Sequence, residues 1–210
     1  CPGPPPRLHR RLACATAAVI CAIAAGFSRA VPESEGREQA AVSLRRALAH
    51  DGVARAAAAI WAVYLAGVAA GLMVLGHSAE IIRWTGGDGG EVTAGAMVIS
   101  AGSLAGSLAA GVASLRLPSA RIALASLALT AAAVALLAIR PPPPGALILV
   151  GLCGNAYGAI ITAIPNLVAD RFDTPVAFRL FTLVFTAWGI GGLAGPLAAG
   201  VAYAAVGSYA

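Results

Sequence analysis

Hydroxyl and amide side chains at helical spacing are the residues best placed to form hydrogen bonds within the apolar stretches of this chain. One stripe lies within about 80° around a single helix, and it contains Thr93, Ser100, Ser103, Ser107 and Ser114. Polar groups in hydrocarbon are costly unless they face protein or a water-filled cavity. Serine and threonine can instead bond to carbonyls of their own helix, so both interpretations of this stripe stay open.

A second stripe contains amides. Asn155, Thr162 and Asn166 lie within about 40° of one another on a helix. An asparagine side chain has two donors and an acceptor, which its own helix satisfies less easily than it satisfies a hydroxyl. We therefore expect Asn155 to face a cavity.

Enzymatic and metal-binding patterns are weak in this sequence. His77 and Glu80 have ligand-like spacing, but two groups are too few for a zinc site. The glycines between Gly189 and Gly192 follow no strand, so they fail the context test for a nucleotide loop. We find no pairing of a nucleophile with a base, and we expect no enzymatic activity, no cofactor and no metal.

Apolar segments of membrane-spanning length must hold these side chains. Hydrophobic residues make up 59% of the chain and charged residues only 11%, well below the roughly 25% typical of soluble domains. A bilayer core requires about 20 apolar residues in a helix. The pattern predicts an all-α, multi-pass protein of the cell membrane with six transmembrane helices, over Leu12–Ser28, Ala56–Gly76, Val92–Leu115, Ile122–Ile139, Gly145–Ala169 and Leu180–Val206.

Charge patterning predicts how the chain is oriented. All 14 basic residues are arginine, and they are scattered among loops, which argues against nucleic acid as a partner. More of them follow the first, third and fifth spans, so the positive-inside rule places the 29–55 loop in the cytoplasm. The basic start and short apolar run within residues 1–28 resemble a secretory signal. We prefer a mature span in a fragment whose N-terminal part is absent.

Glycine pairs at four-residue spacing predict close helix packing. They are Gly67/Gly71, Gly102/Gly106, Gly154/Gly158 and Gly191/Gly195. Such pairs serve tight packing alone or also permit sliding. Pro165 and Pro196, each within an apolar run, would permit those helices to bend.

Three segments resemble the C-terminal half of the major facilitator superfamily, in its oxalate/formate antiporter-like (monocarboxylate carrier-like) branch. They are YLAGVAAGLMVLGHSAEI, NAYGAIITAIPNLVADRF and FTLVFTAWGIGGLAGPLAAG, at 64–81, 155–172 and 181–200. The resemblance implies that the six spans correspond to helices six to eleven of a twelve-helix permease. Residues 29–55 then join two halves, and 56–210 form the C-terminal half, which pairs with a missing N-terminal half.

The chain also departs from the pattern of that family. Its loop between the eighth and ninth helices keeps Gly111 and Arg116 but has Leu115 where the family has an acid. In the family this loop acts as a charged conformational latch, and the missing acid puts that role in doubt here. Ser107 and Trp188 occupy positions that carry basic residues in oxalate carriers. A buried dianion without a cation is strongly disfavoured, so a monocarboxylate or a less polar solute fits better than oxalate.

The function implied is secondary transport of a small organic solute across the lipid bilayer. The candidate pathway residues are Asn155, Tyr157, Trp188, Ser103 and Ser107, and the candidates for bending or packing are Pro165, Pro196, Gly191 and Gly195. A non-transporting membrane scaffold or decayed carrier is the alternative. A membrane-embedded enzyme comes third.

Overall fold

The computed structural model describes Leu48 and residues 51–206, which form α-helices and contain no strand. The helices are α1 (Asp51–Trp84), α2 (Gly89–Ala113), α3 (Ser119–Ala138), α4 (Pro143–Arg171) and α5 (Thr174–Val206). All five are long and apolar enough to cross a membrane. The described part of the chain therefore has the architecture of a multi-pass membrane protein.

These helices confirm that the second to sixth predicted spans are helical and apolar. The first predicted span, residues 12–28, and most of the 29–55 loop lie outside the described residues. Several helices run beyond the predicted spans: α1 covers 34 residues, from Asp51 to Trp84. The prediction followed uncharged sequence, whereas a helix can continue into water, where charged residues cost nothing. His77 and Glu80 therefore lie within the last turns of α1.

Local chemistry sets the turns between the helices. Asp88 and Glu91 form a capping box at the start of α2: the Glu91 amide donates to Asp88 Oδ1 at 2.9 Å, and the Asp88 amide donates to Glu91 Oε2 at 3.0 Å. Gly86 has a φ of 95° in the preceding turn. After α3, Arg140 has a φ of 54°, and α4 begins at Pro143, since proline fits the first helical turn.

Two clusters of buried side chains show that consecutive helices run in opposite directions. The first contains Tyr64 from the first half of α1, Ile122 from the start of α3 and Ile164 from the second half of α4. The second contains Ile82 from the end of α1 and Val150 from the first half of α4. Each of α1 to α4 has residues in both clusters, so the chain crosses from one cluster to the other with each of these helices. Large apolar side chains that these clusters leave exposed, such as Leu104, Leu108, Leu193 and Val201, would face lipid or other helices.

The helices pack most extensively as two pairs. α2 packs along α4, α5 packs along α1, and α3 packs mainly on α4. In the first pair, a Cβ on Gly106 would overlap the carbonyl oxygen of Asn155. In the second pair, a Cβ on Gly195 would overlap the carbonyl oxygen of Ala69. In both cases glycine brings one backbone directly against the other.

One register relates the backbone contacts of the two pairs, because Gly191 and Gly195 lie against Leu65 and Ala69 as Gly102 and Gly106 lie against Gly151 and Asn155. This makes α1 with α5 and α4 with α2 an inverted repeat. Most buried positions of α1 correspond to buried positions of α4, as Tyr64/Val150, Gly67/Cys153, Val68/Gly154, Gly71/Tyr157, Val74/Ile160, Ser78/Ile164 and Ile82/Val168 do. In this register Ala69 corresponds to Asn155, and these are the residues that Gly195 and Gly106 contact. Because α1 and α4 run in opposite directions, the repeat is inverted.

Gly71 and Tyr157 lie at the centre of this repeat. They are each other's counterparts, and they contact each other: a Cβ on Gly71 would lie 2.6 Å from Cδ2 of Tyr157. The repeat places Gly71 where Tyr157 lies and Tyr157 where Gly71 lies. A contact between two such residues must lie on the axis that relates the two repeats. This contact therefore marks the interface between the repeats.

Candidate functional site

Backbone contacts and one hydroxyl bond hold α2 and α4 together. A Cβ on Gly158 would overlap the carbonyl oxygen of Ser103. Ser107 Oγ donates a hydrogen bond to the Gly158 carbonyl at 3.0 Å, and Thr162 Oγ1 donates to the same oxygen at 3.1 Å. This carbonyl thus accepts from both helices, and Ser107 is used in packing α2 on α4.

Three other hydroxyls of the α2 stripe follow the second of the two open interpretations. Thr93 donates to Gly89 O, Ser100 to Ala96 O and Ser114 to Gly111 O, at 3.0, 2.9 and 2.7 Å. They bond to carbonyls of their own helix. The polar spacing that identified the stripe could not separate these from Ser107, since a serine bonds equally well within a helix or across to a neighbour.

The amides of α4 differ from these hydroxyls. Asn155 and Asn166 are partly exposed, and neither side chain receives or donates a hydrogen bond within the part of the chain that the structure describes. The Asn155 backbone is packed against Gly106. The side-chain amide of Asn155 is thus held at a fixed position beside α2 with its hydrogen-bonding groups available to a ligand or water.

Tyr157 and Trp188 form an aromatic site between α4, α1 and α5. Trp188 Nε1 donates to the Tyr157 hydroxyl at 3.3 Å, while the Tyr157 ring lies on Gly71. Trp188 is stacked on Phe185 with ring centroids 5.5 Å apart and planes inclined by 12°. Tyr157 is 8% exposed and Trp188 is 38% exposed, so the indole lines an accessible surface and the phenol lies beneath it.

The predicted pathway residues therefore fall into two groups. Ser103, Ser107 and Asn155 lie along the contact of α2 with α4, whereas Tyr157 and Trp188 lie where α4 approaches α5. A two-residue offset on a helix turns the side chain by roughly 160° from its starting direction. Asn155 and Tyr157 consequently project from opposite sides of α4.

Both predicted prolines lie inside helices, Pro165 in α4 and Pro196 in α5. Pro196 faces α1, since a Cβ on Gly76 would lie 3.8 Å from Pro196 Cβ. Gly191 and Gly195 lie on the same contact: a Cβ on Gly191 would lie 3.0 Å from the Leu65 carbonyl oxygen. The interface of α5 with α1 thus combines close glycines with a proline, which cannot donate the helical hydrogen bond to the preceding turn.

Four further contacts were not predicted from the sequence. Trp61 Nε1 donates to Thr186 Oγ1 at 3.0 Å between α1 and α5, and Ser119 Oγ donates to Asp170 Oδ2 at 2.6 Å between α3 and α4. Arg83 pairs with Glu80 one turn away, and His77 Nδ1 lies 3.1 Å from the Met73 carbonyl oxygen. No spacing rule links residues so distant in sequence as Trp61 and Thr186, and composition alone did not signal these partners.

Comparison with known proteins adds no assignment, because no protein-family model and no curated protein matches the chain.

Proposed function

We propose that the chain is part of a secondary transporter of the major facilitator kind that moves a small organic solute by alternating access. The observation that carries the proposal is the inverted repeat. Many secondary transporters are built from inverted repeats, with the substrate near the bilayer midplane at the repeat interface. Here that interface is the contact of Gly71 with Tyr157.

The aromatic site lies at the depth where such a substrate would bind. Tyr157 is near the middle of α4, which runs from Pro143 to Arg171, and Trp188 is near the middle of α5, which runs from Thr174 to Val206. The exposed indole offers an apolar surface, and its hydrogen bond to the Tyr157 hydroxyl fixes its orientation. We assign Tyr157 and Trp188 as the solute-contacting pair, and leave out Asn155, which projects from the other side of α4.

The charges of the described helices favour a solute of low charge. Acidic and basic residues lie near the helix ends, as Arg55, Arg83, Arg171 and Arg179 do. A buried anion without a cationic partner costs several kcal/mol. A monocarboxylate that shares its charge with a cation from the other half of the transporter, or a less polar solute, fits this chain best.

The positions of the arginines also support one orientation of the helices in the membrane. Arg55, Arg116, Arg121, Arg171 and Arg179 lie near the helix ends on the side where α1 begins, and Arg83 and Arg140 lie near the opposite ends. The positive-inside rule places the first group in the cytoplasm. The turns from α2 to α3 and from α4 to α5 would then be cytoplasmic.

An exchange assay tests the proposal. Proteoliposomes contain the protein at its native full length, are loaded with short-chain monocarboxylates, and are assayed for uptake of labelled substrate. We expect saturable exchange with at least one member of the panel. Trp188→Ala should lower it about tenfold, a loss of roughly 1.4 kcal/mol of binding free energy, whereas Leu193→Ala, at an exposed apolar position of the same helix, should leave it unchanged.

Two results would count against this proposal. Absence of exchange for the whole panel would exclude a carboxylate carrier. Equal exchange by the Trp188 variant and the wild type would exclude the aromatic site.

A non-transporting membrane scaffold is the second candidate, and the α2–α3 turn favours it. Leu115, which stands where the resemblance expects an acid, is 82% exposed and cannot form a charged latch. Arg116 beside it is also exposed. An intact protein that assembles with other membrane proteins but exchanges no solute would support this candidate.

A further inference from the structure

Three aromatic rings lie along one face of α5, and we call them the aromatic ladder. They are Phe181, Phe185 and Trp188, which fall within about 60° of one another around the helix. The ring centroids of Phe181 and Phe185 are 5.7 Å apart, with planes inclined by 46°, and Trp188 is stacked on Phe185. Phe185 is 46% exposed, so the ladder has an accessible apolar side.

Trp188 is the last ring of this ladder. Side chains on a helix lean toward its N-terminus, and the indole accordingly lies on Phe185, one turn earlier. Within the part of the chain that the structure describes, no second ring contacts Trp188, and its side chain is 38% exposed. A further aromatic ring can therefore continue the stack on the open face of the indole.

The Tyr157 hydroxyl adds a hydrogen-bond donor at the edge of the indole. Its oxygen accepts from Trp188 Nε1 at 3.3 Å, and its own proton has no acceptor among the described residues. The phenol is held in place, because its ring lies on Gly71 and Tyr157 is only 8% exposed. The hydroxyl is thus available to donate to a solute that lies on the indole.

We infer that the solute is an aromatic monocarboxylate. Its ring stacks on the open face of Trp188, and a carboxylate oxygen accepts a hydrogen bond from the Tyr157 hydroxyl. Offset-stacked aromatic rings attract each other beyond the burial of their apolar area, and a saturated ring lacks this attraction. The inference rests on the proposed function, and it narrows the solute class to acids that carry an aromatic ring.

A single carboxylate agrees with the charges of the described helices. Their arginines lie near the helix ends, whereas Tyr157 and Trp188 lie near the middles of α4 and α5. The hydroxyl of Tyr157 satisfies one anionic oxygen at this depth. A second carboxylate would be buried without a cationic partner, at a strong energetic cost.

Exchange of two matched acids tests the inference on the protein at its native full length in proteoliposomes. Benzoate and cyclohexanecarboxylate have the same charge and similar size, but only benzoate has an aromatic ring. We expect the half-saturation concentration of benzoate to be about fivefold lower, because of the attraction between stacked rings. Trp188→Leu should abolish this preference while cyclohexanecarboxylate is still exchanged, and Trp188→Phe should retain it.

Phe178→Leu is the matched control. Phe178 is an exposed aromatic residue of the same helix, about 15 Å from Trp188 along the helix axis, and its replacement should leave the preference at the wild-type value. The ratio of the two half-saturation concentrations does not depend on how much protein inserts. A loss of stability in a variant therefore cannot imitate the expected result.

Tyr157→Phe tests the hydrogen bond separately. It retains the ring and removes the donor, so both half-saturation concentrations should rise by about tenfold, as for a hydrogen bond to a charged group, while their ratio stays the same. Unchanged half-saturation concentrations in this variant would overturn the contact of the hydroxyl with the carboxylate.

The remaining outcomes separate this inference from the proposed function. Exchange of both acids with equal half-saturation concentrations, or exchange of aliphatic acids alone, would overturn the aromatic solute and leave the transporter intact. A preference for benzoate that persists in Trp188→Leu would overturn the stacking of the solute on the indole. Exchange of no carboxylate at all would overturn the proposed function, and this inference with it.

Discussion

The two helix pairs of the inverted repeat share a register but differ in how their backbones meet. Between α2 and α4 both helices contribute glycine: Gly106 lies on the Asn155 backbone, and Gly158 lies on the Ser103 backbone. Between α1 and α5 only glycines of α5, Gly191 and Gly195, lie on the partner backbone, while Gly67 of α1 instead receives the Ile160 side chain of α4.

This difference indicates that the two interfaces tolerate movement to different degrees. Two interlocking backbones cannot separate or slide without losing contacts on both sides, and Ser107 adds a hydrogen bond across them. In the contact of α5 with α1, only α5 places glycines on the partner backbone, and α5 also contains Pro196. We therefore expect α2 and α4 to form the more rigid unit, and α5 to be the helix that shifts more easily.

The largest effect is expected at Gly106. In Gly106→Ala the new Cβ meets the Asn155 carbonyl, so a backbone must move, and we expect the free energy of unfolding to fall by about 3 kcal/mol. Unfolding by a denaturing detergent from bicelles measures this. Gly111→Ala is the control, since nothing lies within 4 Å of its Cβ and alanine favours a helix. Equal losses in both variants would show that the contact is not tight.

A smaller loss is expected at Gly195, its counterpart in the other pair. In Gly195→Ala the new Cβ also meets a backbone carbonyl, that of Ala69. We expect α5 to move away from it more easily, because only α5 places glycines on the partner backbone in this pair. We expect a loss of about 1 to 2 kcal/mol in the same unfolding assay. Gly189→Ala, with nothing within 4 Å, should be neutral. A loss at Gly195 greater than at Gly106 would reverse the assignment of the rigid pair.

The smallest effect is expected for the hydroxyl bond across the rigid pair. Ser107→Ala should lower the free energy of unfolding by about 0.6 kcal/mol, the average for hydrogen bonds between membrane helices. The Gly158 carbonyl retains Thr162, which limits the loss. A double-mutant cycle with Thr162→Val measures how the two donors share this oxygen. Ser100→Ala, whose hydroxyl bonds to its own helix, is the control, and a loss there as large as at Ser107 would refute the cross-helix role.

The apolar helices could be predicted from the sequence, and their pairing could not. Uncharged stretches of membrane-spanning length identified the five described helices. A charged side chain within the bilayer is costly whichever helix it belongs to, so composition alone reveals the spans. The glycine spacing at Gly102/Gly106 signalled a close contact, but spacing does not name the partner. That Gly106 meets Asn155, and Gly195 meets Ala69, depends on how the helices assemble.

The candidate site was predictable by residue type more than by arrangement. Tyr157 and Trp188 came from the resemblance, and the structure joins them by a hydrogen bond. Asn155 was grouped with them, although it projects from the other side of α4. The cavity of about 170 Å³ beside His77 carried no sequence signal, because its walls are mostly apolar residues.

The central claim is that α1 with α5 and α4 with α2 cross the membrane as an inverted repeat, and side-specific labelling tests it most directly. Single cysteines at Gly86, Leu117, Pro141 and Asp173, in a chain without its native cysteines, are labelled with an impermeant maleimide in vesicles of known sidedness. We predict that Leu117 and Asp173 react from the cytoplasmic side, and Gly86 and Pro141 from the opposite side. Labelling of Gly86 and Leu117 from the same side would contradict the inverted repeat.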